Sequence, residues 1–229
     1  MESKNHRFVF DDPKYSQLAR QLSEPCRSAV PFPHVVIDDF LPEDCAELLL
    51  SEFPRPDQIR WREYKNAKEL KLASEQETFF GPFTRRLLYE FNSAVFLDFL
   101  KNLTGVEQLI SDPYFRGGGL HQIEPGGLLK IHIDFNKHSF LNLERRLNLL
   151  LYLNKDWKEE YGGHLELWDV QMEKCHHRIA PIFNRCVIFL TSEVSLLTRS
   201  PVKKITSGFS FSIISTPPTT AFLFQKLPE

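Results

Sequence analysis

The sequence lacks the features that mark several large classes of protein. Only four of its 229 residues are cysteine, with no CxxC pair, which argues against a disulfide scaffold and favours reduced thiols. No apolar run approaches the ~20 residues that a membrane-spanning helix needs, and the first residues form no apolar signal-peptide segment. The formal net charge of −2 lacks the basic surplus of proteins that coat nucleic acid. We therefore expect a cytoplasmic protein without a membrane or nucleic-acid partner.

The composition is that of a globular protein. Apolar residues make up 42% and charged residues 25%, and 229 residues fit one large core. Phenylalanine is abundant, at 20 residues against three tryptophans, which predicts an aromatic core. We interpret 1–229 as a single domain, with an N-terminal strand and supporting helices over 30–116. A core follows over 117–195, and 196–229 form an atypical C-terminal segment that is rich in Ser, Thr and Pro.

The first half of the sequence predicts helices around one strand. A helix over 12–22 is expected to end at Pro25, because proline blocks helix continuation. The β-branched run at 34–38 predicts a strand. Apolar residues recur every three or four positions over 82–103, which is typical of an amphipathic helix or helix pair, and Gly105 ends it.

From Gly117 onward the pattern changes to short strands divided by turns such as Pro125-Gly126-Gly127. Short strands at fairly even spacing indicate a sandwich or a barrel-like jelly roll. The predicted strands cover 120–124, 128–134, 147–154, 163–169, 185–190 and 209–214.

The triplet His132-Ile133-Asp134 is the most informative short motif. Residues i and i+2 of a strand point to the same face, so one imidazole and one carboxylate converge there. Such a pair supplies two of the three ligands of the 2-His-1-carboxylate triad that holds Fe(II). Taken alone the triplet is also compatible with a surface strand that has a polar face.

Further motifs follow this triplet in a fixed order. A chance occurrence of the triplet would not account for them. They are Arg146-Leu147-Asn148, Tyr152-Leu153-Asn154, Trp157, the run from Gly162 to Leu167, and the run from Pro181 to Phe189. In this order the sequence resembles the prolyl 4-hydroxylase-like 2-oxoglutarate/iron(II) dioxygenases over roughly residues 30 to 195.

The resemblance implies an α+β fold, with a double-stranded β-helix (jelly-roll) core and an N-terminal helical annex. It implies an oxidoreductase that uses Fe(II) and 2-oxoglutarate, with ascorbate as a candidate further cofactor, and hydroxylates a protein or peptide substrate at proline. His132 and Asp134 are then the metal ligands. Tyr152 matches the tyrosine that reaches the distal carboxylate of 2-oxoglutarate, and Asn148 is a weaker candidate for the same pocket.

The sequence departs from the family pattern near its end. No histidine follows His177, although the pattern requires a third iron ligand after residue 195. Gly208 stands where the arginine that anchors 2-oxoglutarate is expected. We predict that His176 and His177 lie in a solvent-exposed hairpin loop rather than at the metal. Arg199, Lys203 and Lys204 could each supply a cation, but none occupies the matching position.

Three interpretations remain open at this point. The chain is an oxygenase with impaired turnover, a non-catalytic jelly-roll module that binds a peptide, or a scaffold in which the triplet is coincidental. The departure itself has two explanations, divergence and a shifted reading frame. Codons for Thr198–Pro201 read one base later permit His-Gly-His-Pro, and the same shift at Ser207 permits arginine. In the second case 191–229 should pack poorly, apart from a strand over 209–214. The oligomeric state is left open.

Overall fold

The computed structural model describes residues 8–66, 69–115, 118–127, 129–133, 137, 141, 143–191 and 195–215, and only the backbone for 129–133 and 209–215. The helices are α1 (Pro13–Ser28), α2 (Glu43–Ser51), α3 (Pro82–Phe91) and α4 (Ala94–Thr104). The first strands are β1 (His34–Ile37), β2 (Arg62–Lys65), β3 (Leu70–Ser74), β4 (Leu109–Ile110), β5 (Gly119–Ile123) and β6 (Leu129–Ile133). They are followed by β7 (Glu144–Tyr152), β8 (Leu165–Trp168), β9 (Cys175–Ile179), β10 (Cys186–Leu190), β11 (Leu196–Arg199) and β12 (Thr206–Ser215).

The strands form two antiparallel sheets. The larger sheet has the order β1-β10-β7-β12-β5-β3-β2, with β4 paired to β12, and the smaller sheet has the order β6-β11-β8-β9. From β5 to β12 the chain crosses repeatedly between the sheets, since β5, β7, β10 and β12 lie in one and β6, β8, β9 and β11 in the other. This winding is a double-stranded β-helix, which confirms the fold class that the resemblance implied.

The helices cover the outer face of the larger sheet. Residues two apart on a strand share a face, and Leu149 and Leu151 of β7 join the phenylalanines of α3 and α4 in one cluster. Phe96 is completely buried and its ring lies 4.4 Å from that of Phe10 and 4.9 Å from that of Phe91. This outer cluster is the aromatic core that the phenylalanine content predicted.

The alternate residues of the same strands face the smaller sheet. Leu150 and Tyr152 of β7 and Phe189 of β10 form an inner cluster with Leu165 of β8 and Leu197 of β11. The interior of the β-helix is therefore lined by both sheets. It is separated from the outer cluster by the thickness of the larger sheet.

Two helix predictions have different outcomes. Pro25 does not end α1, which continues to Ser28. Its last turn is retained because Cys26 is fully buried and the Arg27 guanidinium donates to the Asn102 carbonyl at 3.0 Å. The helix pair over 82–103 is confirmed, and Gly105 ends α4 at φ +74°, in the left-handed region that favours glycine.

The structure also contains strands that the sequence pattern did not predict. His176 and His177 lie in β9 and not in a hairpin loop, so that prediction is wrong. β9 is an edge strand with a partly exposed face, and its residues therefore lack the apolar alternation that marks a buried strand. β11 is a further strand in the atypical segment. Leu196, Leu197 and Thr198 are buried, which is better packing than the shifted-frame explanation predicts.

Candidate metal and co-substrate site

The strand that carries His132 lies at the edge of the smaller sheet. His132 is in β6, and its Cα partner is Leu197 of β11, a residue of the inner cluster. Asp134, together with the side chain of His132, lies outside the described residues. Their assignment as metal ligands therefore stays a prediction from the motif.

The neighbouring strand supplies no third histidine. β11 reads Leu196, Leu197, Thr198 and Arg199. In the part of the chain that the structure describes, no three His, Cys, Asp or Glu side chains are grouped as a metal site. The chain thus departs from the 2-His-1-carboxylate pattern at β11, the strand paired with His132, which has no histidine.

The remaining histidines of β9 are engaged elsewhere. His177 hydrogen-bonds the Val30 carbonyl through Nε2 at 2.8 Å, and its ring centroid is 4.7 Å from that of His34. His176 Nε2 lies 4.0 Å from an Asp169 carboxylate oxygen. Because β8 and β11 separate β9 from β6 in the sheet, these imidazoles do not complete a site at His132.

Tyr152 stands at the end of β7 with its side chain in the interior. It is 2% exposed, and its hydroxyl has no hydrogen-bond partner among the described residues. Burial raises the pKa of this phenol, while the charge of Arg199 opposes the shift. A buried hydroxyl without a partner costs free energy, so this one is a candidate to bind a group that the described residues do not supply.

Asn148 lies four residues earlier on the same face, and it is 4% exposed. Its Oδ1 accepts a hydrogen bond from the Arg145 guanidinium, which is also buried. The amide oxygen is thus engaged by a residue of its own strand, and Asn148 is placed less well than Tyr152 to bind a ligand. This arginine–asparagine pair has no signal in the sequence, because charged residues are most often exposed to solvent.

Gly208 lies directly beside Tyr152. It is the Cα partner of Tyr152 in β7 and of His121 in β5. A Cβ at this position would lie 3.6 Å from the Tyr152 ring and 3.0 Å from the Leu151 carbonyl. The position where the resemblance places an arginine is therefore adjacent to the tyrosine, and here it carries no side chain.

A cation nevertheless lies close to Tyr152. The guanidinium carbon of Arg199 is 5.6 Å from the Tyr152 ring centroid. Arg199 belongs to the inward row of β11, because its partner in β8 is the fully buried Leu165. The sequence pattern did not predict a role for Arg199, because Arg199 does not occupy the position of the family arginine. Its distance from Tyr152 along the chain does not show that the two strands face each other.

Residues 118–209 match the family model of the 2OG-Fe(II) oxygenase superfamily. Over this segment the chain is similar to a 2OG-Fe(II) oxygenase domain. The match runs from β5 to the first residues of β12 and includes His132, Asp134, Tyr152 and Arg199. No curated protein sequence matches the chain.

Solved structures show the same fold at low sequence identity. A Pseudomonas putida prolyl-4-hydroxylase is 16% identical with a TM-score of 0.66, covering 87% of this chain and 100% of that chain. A Trichoplax adhaerens prolyl hydroxylase, solved with a hypoxia inducible factor peptide fragment, is 15% identical with a TM-score of 0.68, covering 93% and 96%. A Phytophthora capsici prolyl 4-hydroxylase is 22% identical with a TM-score of 0.64, covering 92% and 68%. The chain is prolyl hydroxylase-like in fold, as the sequence resemblance implied.

The family implies Fe(II) and 2-oxoglutarate, and the residues present fit the two differently. The Tyr152 hydroxyl, which has no partner among the described residues, and the Arg199 guanidinium fit a carboxylate of 2-oxoglutarate. For iron, one imidazole and one carboxylate of the HxD motif are suitable donors, and β11 adds none. In the described ranges no helix is both long and apolar enough to cross a membrane.

Proposed function

We propose that this chain hydroxylates a prolyl residue of a protein or peptide with Fe(II) and 2-oxoglutarate, at a low rate. One observation carries the proposal: a buried, partnerless Tyr152 hydroxyl in the interior of an oxygenase-family β-helix. The T. adhaerens relative was solved with a peptide fragment, which supports a peptide as the substrate class for this chain.

The residues divide into metal and co-substrate roles. His132 and Asp134 would hold the iron, and Tyr152 would donate a hydrogen bond to the distal carboxylate of 2-oxoglutarate. When bound, iron and 2-oxoglutarate would supply the oxidation of a C–H bond by O2, in which one oxygen atom enters the substrate, the other enters succinate, and CO2 is released. Asn148 and Arg145 keep the neighbouring part of the interior polar without adding an acid or base.

The protein's own contribution is positioning and exclusion of water. The inner cluster, with Leu165 and Leu167 fully buried, keeps the interior apolar around Tyr152. In such a setting hydrogen bonds to a bound carboxylate are stronger than in water. Two protein ligands hold a metal less tightly than three, and this is why we expect slow turnover.

Succinate formation tests the proposal. Purified protein with Fe(II), ascorbate and 2-oxoglutarate should form succinate slowly, and Asp134→Ala should abolish the signal. Asp98→Ala, at an exposed position of α4, is the matched control and should retain it. Succinate that forms equally in Asp134→Ala would place the chemistry elsewhere and contradict the proposal.

A second candidate is a non-catalytic peptide-binding module. The absence of histidine from β11 favours it, because an incomplete ligand set suits a protein that no longer turns over. The two candidates differ in one result. The module would bind proline-containing peptides without forming succinate under any metal condition.

We also propose that residues 1–229 form one domain, that the protein is cytoplasmic, and that ascorbate is a reductant that sustains turnover. All four cysteines are free, and burial raises the pKa of the Cys26 thiol to about 11, which suits a reduced, unreactive thiol. Omission of ascorbate should lower the number of turnovers before activity stops.

A further inference from the structure

One end of the β-helix interior contains polar groups that the described residues leave uncompensated. The Tyr152 hydroxyl and the Thr206 Oγ1 are both buried without a hydrogen-bond partner among those residues. Thr206 lies two residues before Gly208 in β12, so it shares the face of the strand that borders Tyr152. Two buried donors without partners on the same inward face of neighbouring strands indicate that an acceptor group belongs in this part of the interior.

A positive charge faces the same location from the opposite sheet. The Arg199 guanidinium lies 5.6 Å from the Tyr152 ring centroid. No carboxylate within the described ranges pairs with this arginine. A half-buried arginine inside a barrel is costly unless an anion accompanies it. The pocket therefore combines a cation and two hydroxyl donors, which is the donor set that a carboxylate requires.

Gly208 explains how an arginine from another strand can lie here. A side chain at residue 208 would start 3.6 Å from the Tyr152 ring, in the space beside the phenol. Because glycine leaves that space open, Arg199 can approach from β11 of the smaller sheet. A guanidinium in that position keeps the planar geometry that binds a carboxylate through two parallel hydrogen bonds.

We propose that Arg199 is the anchor for the distal carboxylate of 2-oxoglutarate, with Tyr152 and Thr206 as the neighbouring donors. The family pattern expects the positive charge on β12, at the position of Gly208. In this chain it would come from β11, on the opposite side of the same pocket. The identity of the acid rests on the proposed function, whereas the carboxylate pocket rests on the geometry alone.

The neighbouring lysines are poorer anchors. Lys204 Nζ lies 4.6 Å from the Tyr161 ring centroid, and Lys203 is exposed. A lysine ammonium also lacks the forked geometry of a guanidinium. Among the three cations that the sequence offered after residue 195, the structure thus favours Arg199.

Calorimetric titration of metal-free protein with glutarate tests the pocket, because glutarate has both carboxylates and no 2-oxo group to bind a metal. Arg199→Gln should weaken glutarate binding by about 10- to 100-fold, the range for a hydrogen-bonded charge. Arg199→Lys should give an intermediate loss, and Tyr152→Phe a smaller one. Arg20→Gln, with the same charge change at an exposed position of α1, should bind as the wild type does.

The same variants separate this inference from the proposed function. Unchanged glutarate affinity in a folded Arg199→Gln or Arg199→Lys variant would overturn the anchor, as would absence of glutarate binding to the wild type. Pyruvate has no distal carboxylate, and its Fe(II)-dependent binding should not differ between wild type and Arg199→Gln. If glutarate binding depends on Arg199 while no succinate forms with Fe(II), the pocket stands and the proposed activity fails.

Discussion

Two buried tyrosines distinguish the two cores of this molecule. Tyr15, in the outer cluster, is 2% exposed and donates its hydroxyl hydrogen bond to the Phe40 carbonyl at 3.0 Å. Tyr152, in the inner cluster, is equally buried, and its hydroxyl lacks a partner among the described residues. The outer core thus supplies a partner for its buried tyrosine, as expected of a scaffold. The inner core leaves the Tyr152 hydroxyl without a partner among the described residues, as expected of the candidate ligand site.

Truncation of the outer core should give the largest loss of stability. Phe96→Ala removes a fully buried ring that packs on Phe10, Phe91 and Phe99. We expect the free energy of unfolding to fall by about 3–5 kcal/mol. Chemical denaturation measures it, while glutarate affinity of the folded fraction should be unchanged. A loss below about 1 kcal/mol would contradict the scaffold role.

The two tyrosines themselves give the sharpest paired comparison. Tyr15→Phe leaves the buried Phe40 carbonyl without its donor and should lower the free energy of unfolding by about 1–2 kcal/mol. Tyr152→Phe removes a partnerless buried hydroxyl and should leave the unliganded protein as stable or up to about 1 kcal/mol more stable. Thermal unfolding with and without 2-oxoglutarate is the measurement. Equal destabilisation by the two changes would remove the distinction between the cores.

The partly exposed ion pair between Arg185 and Asp38 should contribute less to the free energy of unfolding. Arg185 donates from Nε to Asp38 at 2.5 Å and from Nη2 at 2.8 Å, and these hydrogen bonds lower the pKa of the Asp38 carboxyl. A lowered carboxyl pKa stabilises the fold above about pH 4, and this contribution is lost as the pH falls through the folded-state value. Because Asp38 is half exposed, we expect Asp38→Asn to cost about 1 kcal/mol or less at pH 7.

The pH series provides the control for this ion pair. The stability difference between wild type and Asp38→Asn should shrink as the pH is lowered below 4. A difference that stays constant between pH 7 and pH 2.5 would show that charge has no part in it.

The smallest expected effect comes from His34, which is buried beside the inner cluster. Burial lowers the pKa of its imidazole, and the neighbouring His177 lowers it further, against the Phe32 carbonyl. As the pH falls, His34 is therefore protonated at a higher pH in the unfolded chain than in the folded one, so the free energy of unfolding should decline below about pH 6.5. His34→Gln should make the free energy of unfolding depend less on pH between pH 5 and 7, and His176→Gln should leave that dependence unchanged. An unchanged slope in His34→Gln would contradict this.

The sequence predicted the parts of the fold that follow local periodicity. The helix pair α3–α4 and its end at Gly105 follow from apolar spacing and one glycine. Most core strands were placed within a few residues for the same reason. β9 was missed because an edge strand with polar residues has no local signature. β11 was missed because its four residues are too few to show an alternating pattern.

The site was predictable only where it coincides with a family motif. Tyr152 was identified from its position in the motif order, and the structure adds that its hydroxyl is buried without a partner. Arg199 could not be assigned, since its proximity to Tyr152 depends on the pairing of β11 with β8. The partner of Asn148, Arg145, is likewise a tertiary feature.

The nucleotide sequence distinguishes the two explanations for the C-terminal departure, a shifted reading frame and divergence. If the reading frame is shifted, the codons of Thr198–Pro201 spell His-Gly-His-Pro one base later, and the same frame gives arginine at Ser207. Codons that fail to spell both motifs leave divergence as the explanation. The role proposed for Arg199 concerns the chain with its present residues in either case.

Binding of Mn(II), measured by electron paramagnetic resonance, tests the central claim that the interior holds an incomplete oxygenase metal site with a working co-substrate pocket. The account predicts weak Mn(II) binding that 2-oxoglutarate tightens and that His132→Ala abolishes, while His176→Ala leaves it unchanged. Tight binding that survives His132→Ala and does not respond to 2-oxoglutarate would contradict the account.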